Sequence, residues 1–585
     1  MSTTDETTET SGGGKPPAKK SGTGRALKRY GPIVLVVVLI AAAVAIFGGR
    51  GDDNKDNASS QTGSSSEEDL IRSGPMTPAK ADLEGKTDID WGPNCDTKTG
   101  RIKLKSVYAP PCVEPFTGDN GGATSPGVTA DSVKIVFYRT DPKLDPLQAA
   151  TVRDAGADVD PNSAADTVQQ FAALYNKLFE TYGRKVEVEV YTGKGAPDDV
   201  EKAKSDAIAI AAKKPFAVVG GPTQSSQVFS AELATRGVIC GPVCALALPD
   251  DFVEQYKPYL WQAGPTPDQA NDLAADLIGN LAGPGKAVLA GDPAMKSKDR
   301  VYAVMHYDNS AGDYAKSFQS LKASLADHDI NLKTDIEFTL DLQRAQENAR
   351  TYISKLKQDG VTTVIYTGDP LTPASLTKEA TAQNYHPEWI LGSSVLMDTS
   401  IFARQTDTSQ WKNGFGIALT GARGEQKTNG AFQIYDWAYG GLPPNNTANV
   451  LEPPLRAIFN GIMLGGPKLT PETFRDGMFR YPPSGGGPTE PQVSRGDSKK
   501  VWPGMDWGGS DDAAVIWFDP TAKGEDEVGN VGTGLYRYAN QGQRYTVGHM
   551  PKTAKEAGLF DDAKSVTVFD QVPAADQPPD YPRPQ

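Results

Sequence analysis

Hydrophobic and polar positions between residues 133 and 392 follow two alternating periods. Val133–Tyr138 is a run of β-branched and aromatic residues, and VEVEVY (186–191) alternates strictly, as a strand with one wet face does. Between them, after Asp160-Pro161-Asn162, Val168, Phe171, Leu174 and Leu178 recur at helical spacing. A helix over 198–213, a strand over 216–220, a helix over about 225–236 and a strand ending at Cys240 complete a first unit. The order then restarts, with strands at 301–307, 330–338, 361–368 and 388–392 and helices over 312–327, 343–359 and 373–384. Strands alternating with helices predict parallel sheets covered on both faces, so two successive units predict two doubly wound α/β lobes. Helices near 430–440, 448–464 and 470–480 read as crossover or packing elements, 481–512 as a Gly/Pro/Trp-rich loop, and AVIWFD and GLYRYANQGQRYTV as late strands.

The segment before this body has a different pattern. Residues 1–30 are Ser/Thr/Gly/Pro/Lys-rich and predict a disordered cytoplasmic tail. Gly31–Gly49 is a stretch of 19 uncharged residues, just long enough as a helix to cross a bilayer core of roughly 30 Å. Lys19, Lys20, Arg25, Lys28 and Arg29 precede it, and Asp52, Asp53 and Asp56 follow, which predicts an inside N-terminus and an exported body. The stretch reads as an uncleaved transmembrane anchor, the alternative being a signal peptide cut near Ala43 and Ala45. Residues 50–87 read as a flexible linker and 88–126 as a disulfide-closed extension. After these, 127–265 holds mainly the first lobe and 266–425 mainly the second. Residues 426–570 supply crossover helices and late strands, and 571–585 form a loose tail.

Composition narrows the function. A net charge of −14 gives no electrostatic support for nucleic-acid binding. Cysteine occurs as two close pairs, which suits disulfides Cys95–Cys112 and Cys240–Cys244 outside the cytoplasm. With four histidines in 585 residues and no zinc-like spacing, a metal site is not predicted. No G-x-S-x-G elbow, H-E-x-x-H, Walker A loop or G-x-G-x-x-G after a strand is present, so neither an enzyme nor a cofactor is predicted.

Pro215–Leu233, PFAVVGGPTQSSQVFSAEL, reads as a buried strand, a tight glycine turn, a hydroxyl-rich loop and a helix start. Such a turn aims backbone N–H groups and the positive end of a helix dipole at one spot, a seat for an anion, though the same pattern serves a plain βα turn. Together with VKIVFYRTD, ATRGVI, YLWQAGPTPDQAN, RVYAVMHYDNSAGDYAKSF, DGVTTVIYTGD and PEWILGSS, it resembles the type I periplasmic binding proteins. The similarity is to the leucine/isoleucine/valine-binding branch of ABC-transporter receptors, over about 133–545. The resemblance implies two lobes that close on a small ligand, an amino acid or a similar solute, for delivery to ABC permease subunits. A ligand-sensing or interaction receptor reusing the fold is the alternative.

The resemblance also implies site residues. Loops after two first-lobe strands would bind a ligand carboxylate, here through Thr223, Gln224, Ser225 and Ser226, and through Gly241 and Pro242. Tyr138 and Tyr307 become candidate wall residues. The second lobe departs from the pattern: Ala311 stands where an aromatic is usual, and Asp369-Pro370 where a tyrosine is. Ser393 or Ser394 stands where an acid pairs with the ligand ammonium. Asp369 or Asp398 is available in its place, unless each is a helix-capping or solvated acid.

Overall fold

The computed structural model describes residues 67–141, 143–144, 162–222, 225–308, 314–341, 343–393, 396–497, 501–527 and 530–584. The anchor at 31–49 and the tail at 1–30 lie outside the described residues, and among the described residues no helix is long and apolar enough to cross a membrane.

Helices α1 (Glu67–Ser73) and α2 (Pro78–Glu84) come first, then a short hairpin of β1 (Cys95–Asp96) and β2 (Arg101–Ile102). Residues 67–87 of the linker expected over 50–87 are therefore helical in large part, and 50–66 lie outside the described residues. Thr77 caps α2 and Gly85 ends it with φ 65°, local signals that outweigh the polar composition. Arg480 fastens α1 through its Nε to the Leu70 carbonyl at 2.8 Å and its Nη2 to the Ser73 hydroxyl at 3.0 Å.

The first lobe follows with β3 (Ser132–Arg139), α3 (Ser163–Leu178), β4 (Lys185–Thr192), α4 (Val200–Ala212), β5 (Ala217–Val219), α5 (Ser226–Ala234) and β6 (Ile239–Cys240). Its sheet is wholly parallel, in the order β4-β3-β5-β6. Val133, Ile135, Val136, Ala217 and Val218 are fully buried, as strands covered by helices on both faces require.

The second lobe opens with α6 (Pro267–Ala282), a helix the hydrophobic pattern alone does not mark. Its start is set by a reciprocal capping box between Thr266 and Gln269, with Pro267 at the first helical position. Then come β7 (Tyr302–Tyr307), α7 (Ala315–Ala326), β8 (Leu332–Phe338), α8 (Ala345–Gln358), β9 (Thr363–Thr367), α9 (Thr372–Ala382), β10 (Glu388–Leu391) and β11 (Phe415–Ala418). The chain returns to the first lobe as α10 (Gly430–Tyr439), α11 (Ala448–Gly465) and α12 (Pro471–Arg480). It ends in the second with β12 (Asp512–Glu525), β13 (Val531–Tyr538) and β14 (Arg544–Thr546).

The second sheet runs β13-β12-β11-β10-β9-β7-β8, with β14 beside β12. Only β7 to β11 are parallel. The late strands pair antiparallel, so the second sheet is mixed rather than purely parallel.

The C-terminal segment also departs from expectation, because 571–584 is tied down. Asp576 is buried and accepts from both the amide and the hydroxyl of Thr489. Trp437 Nε1 donates to the Tyr581 carbonyl at 2.9 Å, and the Tyr581 hydroxyl to Asp96 at 3.0 Å. The prolines that suggested looseness only remove donors; specific side chains fix the path.

Candidate ligand cleft

Parallel strands end together, so their C-terminal loops collect at one edge, where open α/β sheets bind ligands. At that edge of the second lobe lies a cavity of about 310 Å³. His306 and Tyr307 enter it from the end of β7, Thr367 and Gly368 from β9, Ser393, Leu396 and Asp398 from beyond β10, and Leu419 and Thr420 from β11. Phe318 and Leu321 of α7 and Asn271 of α6 form one side. The first lobe contributes Ala245, Leu246 and Ala247, and the crossing segments add Gln262–Pro265 and Ser510.

The crossing segments are held by paired polar groups. Gln262 grips the first-lobe wall at both backbone groups of Leu248, at 2.8 and 2.7 Å, and Arg495 donates to the Gln262 carbonyl at 3.0 Å. The amide of Gly509 donates to the Gly264 carbonyl at 2.7 Å, and Gln269 Nε2 to Asp506 Oδ1 at 2.7 Å. The crossing segments are thus held to one another beside the cavity.

In the first lobe the glycine turn is a packing device. Gly220 has φ 76°, and a Cβ there would sit 2.4 Å from the Tyr138 carbonyl oxygen; one on Gly221 would sit 2.1 Å from that of Cys244. Ser225 donates to the Pro197 carbonyl at 3.0 Å, and Ser226 accepts from the Leu246 amide at 3.3 Å. Gly241 donates to the Val218 carbonyl and packs on Ile458. Pro242 pairs with Ala245 within its own loop. None of these four residues lines the cavity.

Tyr138 is buried in the first-lobe core, its ring 5.9 Å from that of Tyr191 and its hydroxyl directed at Asp206, and burial pushes its phenol up. Thr223 and Gln224 lie outside the described residues, as does Ser394. Both expected disulfides are present, and Cys240–Cys244 is buried behind the wall formed by Ala245–Ala247.

The second lobe keeps two of the expected residues in the cleft, Tyr307 and Ser393. Ser393 donates to Asn271 Oδ1 at 2.6 Å, while Asn271 Nδ2 donates to the Ser317 carbonyl at 2.9 Å. Asp369 is a helix-capping acid: it accepts from the amides of Leu371 and Thr372 at 2.8 Å each and from the Thr372 hydroxyl at 2.7 Å. Asp398, the other acid considered, does face the cavity. It is 4% exposed, accepts from the Thr420 hydroxyl at 3.1 Å, and burial pushes its carboxyl up to about 6.

Residue-by-residue reading missed His306. It is 5% exposed, stacks on Phe318 at 3.8 Å and 5°, and its Nδ1 has no hydrogen-bond partner. Burial pushes it down to about 4, so the imidazole is neutral at ordinary pH. The signal available was a scarce histidine at the end of VYAVMHY, next to Tyr307.

No protein-family model matches the chain, and no curated protein does. Solved structures do. A leucine-, isoleucine-, valine-, threonine- and alanine-binding protein from Brucella ovis shares 12% identity at a TM-score of 0.47, over 75% of this chain and 100% of that one. A solute-binding protein from R. palustris in complex with 4-hydroxybenzoate shares 13% at 0.46, over 72% and 98%. A fatty acid ABC transporter substrate-binding protein from Thermomonospora curvata shares 13% at 0.44, over 79% and 100%. The chain is similar to these solute-binding proteins in fold alone. Likeness at this level carries no argument about the ligand, which rests on the cleft.

Proposed function

We propose that this chain is the solute-binding subunit of an ABC importer, taking a small polar-ended organic solute, an amine or an amino-acid-like molecule, between its lobes. The observation that supports this reading most is the cavity between the lobes, lined by a first-lobe wall and, in the second lobe, by the buried Asp398 and by His306, whose Nδ1 has no hydrogen-bond partner. Buried polar atoms are ordinarily paired, so the unpaired Nδ1 of His306 marks a cavity-lining imidazole that the fold leaves unsatisfied. A ligand touching both lobes favours the closed form by its differential affinity, and permease subunits would read that form. Residues 31–49 would anchor the protein with its body outside the cytoplasm; the basic residues before them and the acidic ones after support that orientation.

The test is a thermal-shift and titration screen against amines, amino acids, amides and carboxylic acids, followed by small-angle scattering with each hit. A hit that raises the melting temperature and reduces the radius of gyration is expected. Absence of any hit, or saturation with no compaction, contradicts the reading.

A further inference from the structure

The lining of the cleft is chemically lopsided. Among its described residues Asp398 is the one charged side chain, and no lysine or arginine is present. The groups facing Asp398 from neighbouring elements do not neutralise it. The Thr420 hydroxyl and the backbone amides of Thr420 and Asp398 itself favour its charged form without supplying a cation, Tyr536 and Tyr538 of β13 are neutral phenols nearby, and Glu527 adds a second negative charge. Glu527 is occupied elsewhere, accepting from the amides of Ser400 and Ile401 at 2.9 and 3.0 Å and lying 3.8 Å from Arg423. A carboxylate in this cleft would meet an uncompensated acid, whereas an ammonium would supply the charge a buried carboxylate needs.

The second polar group lies at the other end. His306 stands one residue before the end of β7, while Asp398 is bonded to Thr420 just beyond β11, and β9 and β10 run between them. Three strand spacings are on the order of 14 Å. The two groups are thus too far apart for one small polar head to reach both, so a ligand engaging both is elongated. Between the ends the lining is apolar, with Phe318, Leu321, Leu396, Leu419 and Leu246.

Building on the solute-binding reading, we propose that the cleft selects an elongated primary amine without a carboxylate, its ammonium on Asp398, its apolar body across the middle and a hydroxyl on His306. This sets the cleft apart from the named ligands of the structures it resembles, which are amino acids and carboxylic acids. The neutral imidazole suits a hydroxyl, which can donate to one nitrogen or accept from the other.

The experiment is calorimetric titration of the full-length chain with four matched probes. Tyramine has all three parts, phenethylamine lacks the hydroxyl, tyrosine adds a carboxylate, and 3-(4-hydroxyphenyl)propionate replaces the ammonium with one. Tyramine is expected to bind at least 10-fold tighter than tyrosine or the propionate and several-fold tighter than phenethylamine. Asp398→Asn should weaken tyramine at least 10-fold, and His306→Phe should erase its advantage over phenethylamine. Melting curves of both variants confirm that they fold. Equal or tighter binding of tyrosine or the propionate overturns the ligand class, and if the lobes still close, the solute-binding reading survives it. Tyramine binding untouched by Asp398→Asn, or no amine binding at all, also overturns the class; failure of every solute in the wider screen removes the reading beneath it.

Discussion

The two lobes are built from the same strand–helix alternation, yet they serve the cleft differently. In the first lobe the polar groups at the strand ends are used internally: Ser225 holds Pro197, Ser226 holds Leu246, and the tyrosine at the end of β3 points at Asp206. Among the described residues, what reaches the cavity from this lobe is a wall of Ala245, Leu246 and Ala247. In the second lobe the strand ends bring His306 and Asp398 to the cavity, beside Ser393 and Thr420, which are bonded to Asn271 and Asp398. A strand-end position locates a cleft, but a ligand seat also needs polar groups that the fold has not already satisfied. On this account the second lobe recognises and the first lobe closes.

The comparison is broken most directly at Asp398. Asp398→Asn is expected to lower amine affinity about 10- to 100-fold while raising stability, because a buried uncompensated carboxylate is destabilising. The sign follows from its position: burial raises the folded carboxyl from 3.8 to about 6, so the native state holds its proton more firmly than the unfolded chain. Its contribution is favourable below about pH 4 and is lost as pH rises through about 6. The variant should therefore gain on the order of 1–3 kcal/mol at pH 8 and nothing near pH 4, read by urea melts at both values. Amine binding by the native protein should weaken below pH 6, as the carboxyl is neutralised.

Next in size is Gly221→Ala. With a carbonyl oxygen 2.1 Å from the new Cβ, the turn must shift against the disulfide loop, at a cost of about 1–3 kcal/mol. Thermal unfolding should show it, together with a few-fold loss of affinity as the Ala245–Ala247 wall moves. Replacing Cys240 and Cys244 by alanine opens a very short loop and should cost about 2 kcal/mol or less by the chain-entropy account, with a similar modest loss of affinity. The smallest effect on binding is expected at the first-lobe hydroxyls. Ser225→Ala and Ser226→Ala should each cost about 1 kcal/mol of stability and change affinity less than 2-fold. A 10-fold loss from either serine would restore the first lobe as the recognition side.

Much of this architecture was legible in the chain. The periods of Val133–Tyr138, VEVEVY and the paired helices mark both lobes because burial on one or both faces leaves a direct imprint on sequence. What escaped was set by local or non-local chemistry. Helix α6 is declared by Thr266-Pro267 and Gln269 rather than by a long apolar stripe, and β11 is only FGIA. The antiparallel β12 and β13 extend the second sheet after an excursion through the first lobe, a pairing that no local window contains.

That strand ends meet at one edge was legible; which side chains line the cavity there was not. Gly220 and Gly221 looked like an anion seat because close backbone approach and phosphate-type seats call for the same residue. Asp369 and Asp398 are indistinguishable as loop acids until Leu371 and Thr372 are seen to occupy one and the cavity to receive the other.

The central claim, that the lobes close on a solute held by the second lobe, is tested most directly by an interlobe distance. Spin labels at Ile208→Cys on the first lobe and Leu340→Cys on the second, both exposed, report it in the full-length protein. Saturating tyramine should shorten and narrow the distance distribution in the parent and leave it unchanged in Asp398→Asn at the same concentration. A distribution that does not move when the parent is saturated, or that moves equally in the variant, would contradict the account.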